Sequence, residues 1–168
     1  MHKLVIFVSG LVLTVTLLAA APPVFAIAQK GQPAPLFKVP TTTGQKIALA
    51  NYKGSVVILD FFATWCAPCK ESIPHLIGLS AKYAKQKVQF LGLSLDESSS
   101  ELNSFIAAKK IPYPVAFADE DMQSDYGLRS IPTIYIIDKK GVVADKYMGF
   151  SDEMGRKMEE TIKRLLAE

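Results

Sequence analysis

The chain has 168 residues, of which 21% are charged and 49% hydrophobic, and its formal net charge is +3. This length fits a single domain, and the apolar content is enough for a core, which excludes a disordered chain. The nearly balanced charge, without a Lys/Arg cluster, argues against nucleic acid as a partner. We expect a monomer.

The first 26 residues differ in composition from the rest of the chain. A short positive start, MHK, precedes an uncharged apolar run of 18 residues, and two prolines and the sequence VFA follow it. This order is typical of a signal peptide with a small-residue cleavage site, but the run is also long enough to span a bilayer as an uncut anchor. We therefore expect residues 1–26 to be a signal peptide or membrane anchor, with cleavage favoured. Residues 27–168 then form a domain outside the cytoplasm.

The first part of that domain predicts a hairpin, a strand and a helix. A Pro-rich start followed by a Gly-containing turn indicates a hairpin within residues 29–52. The continuous apolar run at 55–63 predicts a strand that is covered on both faces of its sheet. Apolar residues at helical spacing predict a helix from Ala67 to about Lys85, with Pro74 inside it.

The rest of the domain predicts further alternation of strands and helices. In chain order we expect a strand, a helix, a short strand, one or two helical turns, two strands of a hairpin and a last helix, at residues 88–96, 99–110, 113–118, 119–128, 133–138, 142–150 and from 151 onward. Ser98 and Glu101 have the spacing of a capping box. Parallel units followed by an antiparallel hairpin predict an α/β fold with a mixed sheet and helices on both faces.

The two cysteines, Cys66 and Cys69, lie where the strand at 55–63 gives way to a helix. A disulfide that closes so short a loop adds little stability, so the pair indicates reactivity or a metal. Backbone N–H groups at a helix N-terminus stabilise an anion, and Cys66 should therefore ionise more easily than a free thiol. Cys69, nearly on the same helix face, can then break a mixed disulfide that Cys66 has formed.

Asp60 interrupts an otherwise apolar strand. Burial of a carboxylate is costly unless the group is neutral or partnered, and burial raises the carboxyl pKa. We predict that Asp60 accepts the proton of Cys69 as that thiol becomes a nucleophile. The alternative is a structural Asp60 that faces solvent at a sheet edge or pairs with a lysine.

Metal binding is the main alternative use of the two cysteines. Cys-x-x-Cys supplies two of the four ligands of a closed zinc site, and His75 is the one histidine outside the leader. We favour redox chemistry without a cofactor and keep a copper or zinc chaperone, or metal-binding module, as the alternative.

Two motifs give the chain a family resemblance. FFATWCAPC at 61–69 and YGLRSIPTIYIID at 126–138 resemble the dithiol and proline motifs of the thioredoxin superfamily. GQPAPLFKV at 31–39 is similar to the opening that the extracytoplasmic TlpA/ResA-type branch shares with peroxiredoxin-like AhpC/TSA domains. The resemblance covers about residues 29–168 and implies a thioredoxin-like three-layer fold with an N-terminal hairpin extension.

The resemblance also implies roles for particular residues. Cys66 would attack a substrate disulfide and Cys69 would resolve the product, so that the pair alternates between a dithiol and a disulfide. Pro132 would be a cis-proline facing the dithiol, with the backbone near Ile131 free to pair with an extended substrate. The expected substrate-binding residues are Trp65, Ile131, Pro132 and Gly149.

Together these expectations predict an extracytoplasmic thiol–disulfide oxidoreductase that reduces protein disulfides. Ala67 and Pro68, between the cysteines, add no cation or histidine that would stabilise the thiolate strongly and make the pair oxidising. The resemblance implies client proteins, among them apocytochrome c, and a membrane protein as electron donor. Ser72, however, stands where many TlpA/ResA-type proteins have Glu, which weakens the case for cytochrome c maturation.

A thiol peroxidase is a less favoured alternative. Its chemistry is associated with Thr-x-x-Cys, whereas Thr64 lies only two residues before Cys66. The spacing therefore argues against this activity.

Overall fold

The computed structural model describes residues 27–168, and the predicted signal peptide or anchor lies outside them. Within the described residues, no helix combines the length and apolar character needed to cross a membrane. The strands are β1 (Lys38–Pro40), β2 (Lys46–Ala48), β3 (Val56–Phe62), β4 (Val88–Ser94), β5 (Val115–Phe117), β6 (Thr133–Ile137) and β7 (Val143–Met148). The helices are α1 (Ala67–Lys82), α2 (Ser99–Lys109), α3 (Glu120–Asp125) and α4 (Asp152–Ala167).

Strand β3 is the centre of a five-stranded mixed sheet with the order β5-β4-β3-β6-β7. Strands β3, β4 and β5 are parallel, whereas β6 is antiparallel to β3 and β7 is antiparallel to β6. All seven residues of β3 are buried, as expected of a strand with neighbours on both sides and cover on both faces. The predicted mixed sheet is confirmed, and Asp60 lies in its central strand.

Side chains of β3 alternate between the two faces of the sheet, and each face has its own cover. On one face, Val57, Leu59 and Phe61 pack with residues of α3 and of the N-terminal segment. On the other face, Val56 and Ile58 pack with residues of α1 and α4, and further along this face α2 contributes to a third cluster. Helices therefore cover both faces, with three on the dithiol side and α3 with the N-terminal hairpin opposite.

The N-terminal hairpin is confirmed as a small separate sheet of β1 and β2, with Val39 opposite Ile47. Thr41, just after β1, forms an isolated antiparallel β-bridge with Ala116 of β5. Ile47 and Leu49 are buried in the core on the face of the sheet that α3 covers. The hairpin thus packs against the domain.

Strand β5 has three residues where the sequence predicted a strand over 113–118. Pro112 and Pro114 precede it, and a proline has no N–H to donate to a neighbouring strand. The pairing therefore begins only at Val115. The other elements agree with their predicted positions to within a few residues.

Candidate active site

Cys66 is the N-cap residue of α1, which confirms the predicted position of the pair at a helix start. Its Sγ accepts a hydrogen bond from the backbone N–H of Cys69 at 3.2 Å and is bonded to the Cys69 Sγ at 2.05 Å. Cys66 is 5% exposed and Cys69 is fully buried. When the disulfide is reduced, the same N–H and the helix dipole would stabilise a thiolate on Cys66.

Ser72 stands at the position where the family resemblance implies a glutamate. Its side chain is fully buried, and its hydroxyl donates a hydrogen bond to the Cys69 carbonyl at 3.1 Å. The neighbouring carboxylate, Glu71, is exposed to solvent. The first turn of α1 therefore carries no acidic side chain beneath the dithiol.

Asp96 holds the loop that leads into the dithiol. Its carboxylate accepts hydrogen bonds from the backbone N–H of Thr64 at 3.0 Å and from the Thr64 hydroxyl at 2.6 Å. The Ser94 hydroxyl donates a further bond to it at 2.7 Å. Asp96 is buried, yet its carboxylate is satisfied. This cluster was not predicted from the sequence, although two parallel strands that end side by side would bring Thr64 and Asp96 to one sheet edge.

Asp60 is buried in the sheet on the face that α1 covers, and its side chain is 2% exposed. Burial raises its pKa to about 7, since no hydrogen bond from the described residues reaches either carboxylate oxygen. The alternative in which Asp60 faces solvent at a sheet edge is wrong, because β3 is the central strand of the sheet. The alternative in which Asp60 forms an ion pair with a lysine is also wrong, because none of the ion pairs found over residues 27–168 includes Asp60. This carboxyl group can therefore gain or lose a proton near neutral pH.

The segment before β6 forms the predicted cis-proline loop. The peptide bond between Ile131 and Pro132 is cis, and the Thr133 hydroxyl donates to the Ser130 carbonyl at 2.7 Å. The backbone N–H of Gly149 donates to the Pro132 carbonyl at 2.8 Å, so the structure brings these two predicted residues together. Ile131 packs against the apolar cluster that contains both cysteines.

Exposed apolar side chains accompany this loop and the dithiol. Trp65, directly before Cys66, is 68% exposed. Met148 is also exposed, lies next to Gly149 and pairs with Thr133 across the sheet. Met148 was not predicted as a site residue, because its outward position depends on the register of β7. Large exposed apolar side chains around nearly buried sulfur atoms are suited to contact with another protein chain.

His75, the candidate third ligand for a metal, packs against other residues. Its ring lies 5.5 Å from that of Phe150, centroid to centroid, and close to Gly155 of α4. Across residues 27–168, no three side chains among His, Cys, Asp and Glu cluster as metal ligands. Thr64, the residue considered for peroxidase chemistry, has its hydroxyl engaged by Asp96.

The fold and this site together define a class of protein. A thioredoxin-like α/β domain with a Cys-x-x-Cys disulfide at the first turn of α1 is a thiol–disulfide oxidoreductase. Comparison with known families agrees with this assignment: the chain belongs to the AhpC/TSA family, whose model matches residues 30–146. The resemblance to TlpA/ResA-like members of the thioredoxin superfamily is confirmed.

Individual relatives support the same class. The chain is 35% identical over 125 residues to the thioredoxin-like protein YneN of Bacillus subtilis, covering 72% of each. It is 32% identical over 136 residues to the thiol-disulfide oxidoreductase ResA of Bacillus thuringiensis subsp. konkukian, covering 80% of this chain and 78% of that one. A solved structure of a DsbE-like thiol:disulfide interchange protein of Chlorobium tepidum has a TM-score of 0.78 at 34% identity, and the match covers 83% and 99% of the two chains.

Proposed function

We propose that the protein reduces disulfides of other proteins outside the cytoplasm through Cys66 and Cys69. The observation that carries the proposal is the position of the Cys66 sulfur at the N-cap of α1, bonded to a fully buried Cys69. The helix N-terminus stabilises the attacking thiolate, and burial of the second sulfur directs client contact to the first. The relatives named thiol-disulfide oxidoreductase support the exchange chemistry.

The reaction proceeds by two exchange steps. The Cys66 thiolate attacks one sulfur of a client disulfide, which forms a mixed disulfide and releases the other client sulfur as a thiolate. Cys69 then loses its proton and attacks the Cys66 Sγ, which releases the remaining client thiolate. The client has gained two electrons, and the protein is left with the Cys66–Cys69 disulfide seen in the structure.

Asp60 accepts the Cys69 proton in the second step. A carboxyl group with a pKa of about 7 is a suitable base at neutral pH, since a substantial fraction is ionised and able to take up a proton. Asp60 also points to the same face of the sheet as Phe62, which packs in the cluster that contains Cys69.

The client docks as an extended segment beside the cis-proline loop. The backbone near Ile131 pairs with it, while Trp65 and Gly149 flank the reacting sulfurs. This assignment is supported by the exposed indole of Trp65 and by the hydrogen bond that joins Gly149 to Pro132.

The physiological setting that we propose is supported by the composition of the leader and by the family. A signal peptide or anchor at residues 1–26 would place the domain outside the cytoplasm, where a membrane protein would return electrons to it. Protein disulfides, including the haem-site cysteines of apocytochrome c, are the clients we propose. Ala67 and Pro68 between the cysteines favour reduction over oxidation, since neither stabilises the thiolate further.

Reduction of insulin by dithiothreitol, followed by turbidity, tests the exchange reaction. Cys66→Ser should abolish the acceleration, and Cys69→Ser should accumulate a mixed disulfide that mass spectrometry detects. His75→Ala is the control, and it should retain activity if no metal is involved. Full acceleration by Cys66→Ser would contradict the proposal, whereas stoichiometric copper or zinc in the reduced protein would favour a metal-binding function.

A redox titration of the cysteine pair tests the direction of electron flow. We expect a midpoint below about −200 mV, nearer to thioredoxin than to strong oxidants. A midpoint near −120 mV would instead indicate an oxidase.

A further inference from the structure

Gly92 leaves a gap beside Asp60 in the middle of the sheet. The two residues are register partners on the parallel strands β3 and β4, so their Cα–Cβ directions point to the same face. A Cβ atom on Gly92 would lie 3.1 Å from Phe62 Cε1, 3.1 Å from Val115 Cγ2 and 3.6 Å from Tyr113 Cε2. These three side chains therefore occupy the space next to the Asp60 carboxyl group.

Tyr113 is the only one of the three that brings a polar atom. Its hydroxyl is buried and has no hydrogen-bond partner among residues 27–168, and the same holds for both carboxylate oxygens of Asp60. Buried polar atoms without partners are uncommon because each loses its hydrogen bonds to water. Three such atoms on neighbouring side chains are most simply explained if they satisfy one another.

The backbone holds Tyr113 in this place. Pro112 and Pro114 flank it, and both restrict the chain to an extended conformation. Its ring packs against Phe90, with the ring centroids 5.9 Å apart. The ring is therefore fixed from two sides, and Tyr113 is close enough to Asp60 for the carboxylate charge to raise the tyrosine pKa.

We propose that Tyr113 is a positioning residue for the dithiol chemistry: its hydroxyl donates a hydrogen bond to one water molecule, and that water donates to the ionised Asp60 carboxylate. A single water can join two buried polar groups that lie beyond direct hydrogen-bond distance. A donor to the charged form favours ionisation, so Tyr113 keeps Asp60 able to accept a proton near neutral pH. The inference rests on the proposed role of Asp60 as the base for Cys69.

The charges of the two groups agree with this arrangement. Burial, and next the charge of Asp60, raise the pKa of Tyr113 well above its ordinary value, so the hydroxyl remains a donor. Burial is the one cause of the raised pKa of Asp60. The other titratable side chains on this side of the sheet are His75 of α1, Tyr83 just after α1, Tyr147 of β7 and Glu159 of α4, and none of them shifts the pKa of Asp60.

The test is a titration of the Asp60 carboxyl carbon by ¹³C NMR in the disulfide form, comparing Tyr113→Phe with the native protein. Loss of the water-bridged hydrogen bond to the carboxylate should move the titration midpoint of Asp60 upward by about one pH unit. Tyr83→Phe is the matched control: it removes a buried hydroxyl from the same face, one that donates to Glu159 at 3.3 Å instead. This control should leave the Asp60 midpoint unchanged.

The rate of insulin reduction separates this inference from the function on which it rests. If Asp60 is the base, Tyr113→Phe should lower the rate at pH 7 about fivefold, with recovery at higher pH as Asp60 ionises. A shifted midpoint with an unchanged rate profile would uphold the hydrogen bond and overturn the role of Asp60 in exchange. An unshifted midpoint in a folded Tyr113→Phe variant would overturn the inference and leave Tyr113 as a packing residue.

Discussion

Replacement of Asp60 by Asn should stabilise the protein at neutral and alkaline pH. The carboxyl group is buried in the central strand without a hydrogen bond from the described residues, so its charged form is unfavourable in the folded state. Asn has nearly the same shape but no charge. The substitution therefore removes the cost of ionisation and keeps the packing.

The size of the effect follows from the shift in pKa. Burial raises the Asp60 pKa from 3.8 to about 7, and each pH unit corresponds to about 1.4 kcal/mol. Between these two values the folded state binds more protons than the unfolded state, so stability falls as pH rises. The full cost, about 4 kcal/mol, is present above pH 7 and absent below the unfolded pKa. Because the side chain is 2% exposed, solvent screening reduces it little.

Urea unfolding followed by circular dichroism at pH 4 and pH 8 measures this cost, with all proteins in the disulfide form. The gain in unfolding free energy on Asp60→Asn should be about 4 kcal/mol larger at pH 8 than at pH 4. Asp121→Asn, on an exposed carboxyl of α3, is the control and should show no such difference. A gain that is independent of pH would refute the assignment of a raised pKa to Asp60.

Further substitutions test the loop before the dithiol and the packing of α1 on α4. Asp96→Ala removes a buried acceptor for three donor groups and should lower the unfolding free energy by about 3 kcal/mol, whereas Asp119→Ala removes only the N-cap of α3 and should cost about 1 kcal/mol. Equal losses of unfolding free energy in the two variants would contradict the prediction that the Asp96 hydrogen bonds contribute more to stability than the α3 N-cap. Gly155→Ala would place its Cβ 2.7 Å from His75 Cε1 and should lower stability by about 1 kcal/mol, whereas Gly78→Ala, with open space around it, should raise it by up to about 1 kcal/mol. In a His75→Ala background Gly155→Ala should become stabilising. A loss of stability that persists in that background would exclude the contact with His75 as its cause. Urea unfolding measures each of these differences.

Most elements of the fold could be predicted because their patterns are local. The apolar run of β3 and the serine before α2 each determine an element within a few residues of sequence. Ser98 accepts the predicted bond from the Glu101 N–H at 3.4 Å, and Ser151 caps α4 in the same way. The position of Cys66 followed from the end of a strand and the start of a helix, which are also local.

The surroundings of the site depended on contacts between distant parts of the chain. Thr64 and Asp96 are 32 residues apart, and only the pairing of β3 with β4 brings them together. Tyr113 shares no element with Asp60, and its ring lies beside Gly92, the register partner of Asp60. A glycine inside an otherwise buried strand was the available signal for such a close approach, but it does not say which side chain fills the gap. The neighbours of the site residues therefore depend on the register between strands, which composition and periodicity do not determine.

The pH dependence of alkylation tests most directly whether the N-terminus of α1 activates Cys66. The reduced protein is treated with iodoacetamide between pH 5 and pH 10, and peptide mass spectrometry gives the rate at each cysteine. The midpoint for Cys66 should lie at least one pH unit below that of a free cysteine thiol, about 8.5, and Cys69 should react far more slowly because it is buried. A Cys66 midpoint at or above the free-thiol value, or faster modification of Cys69, would contradict the account.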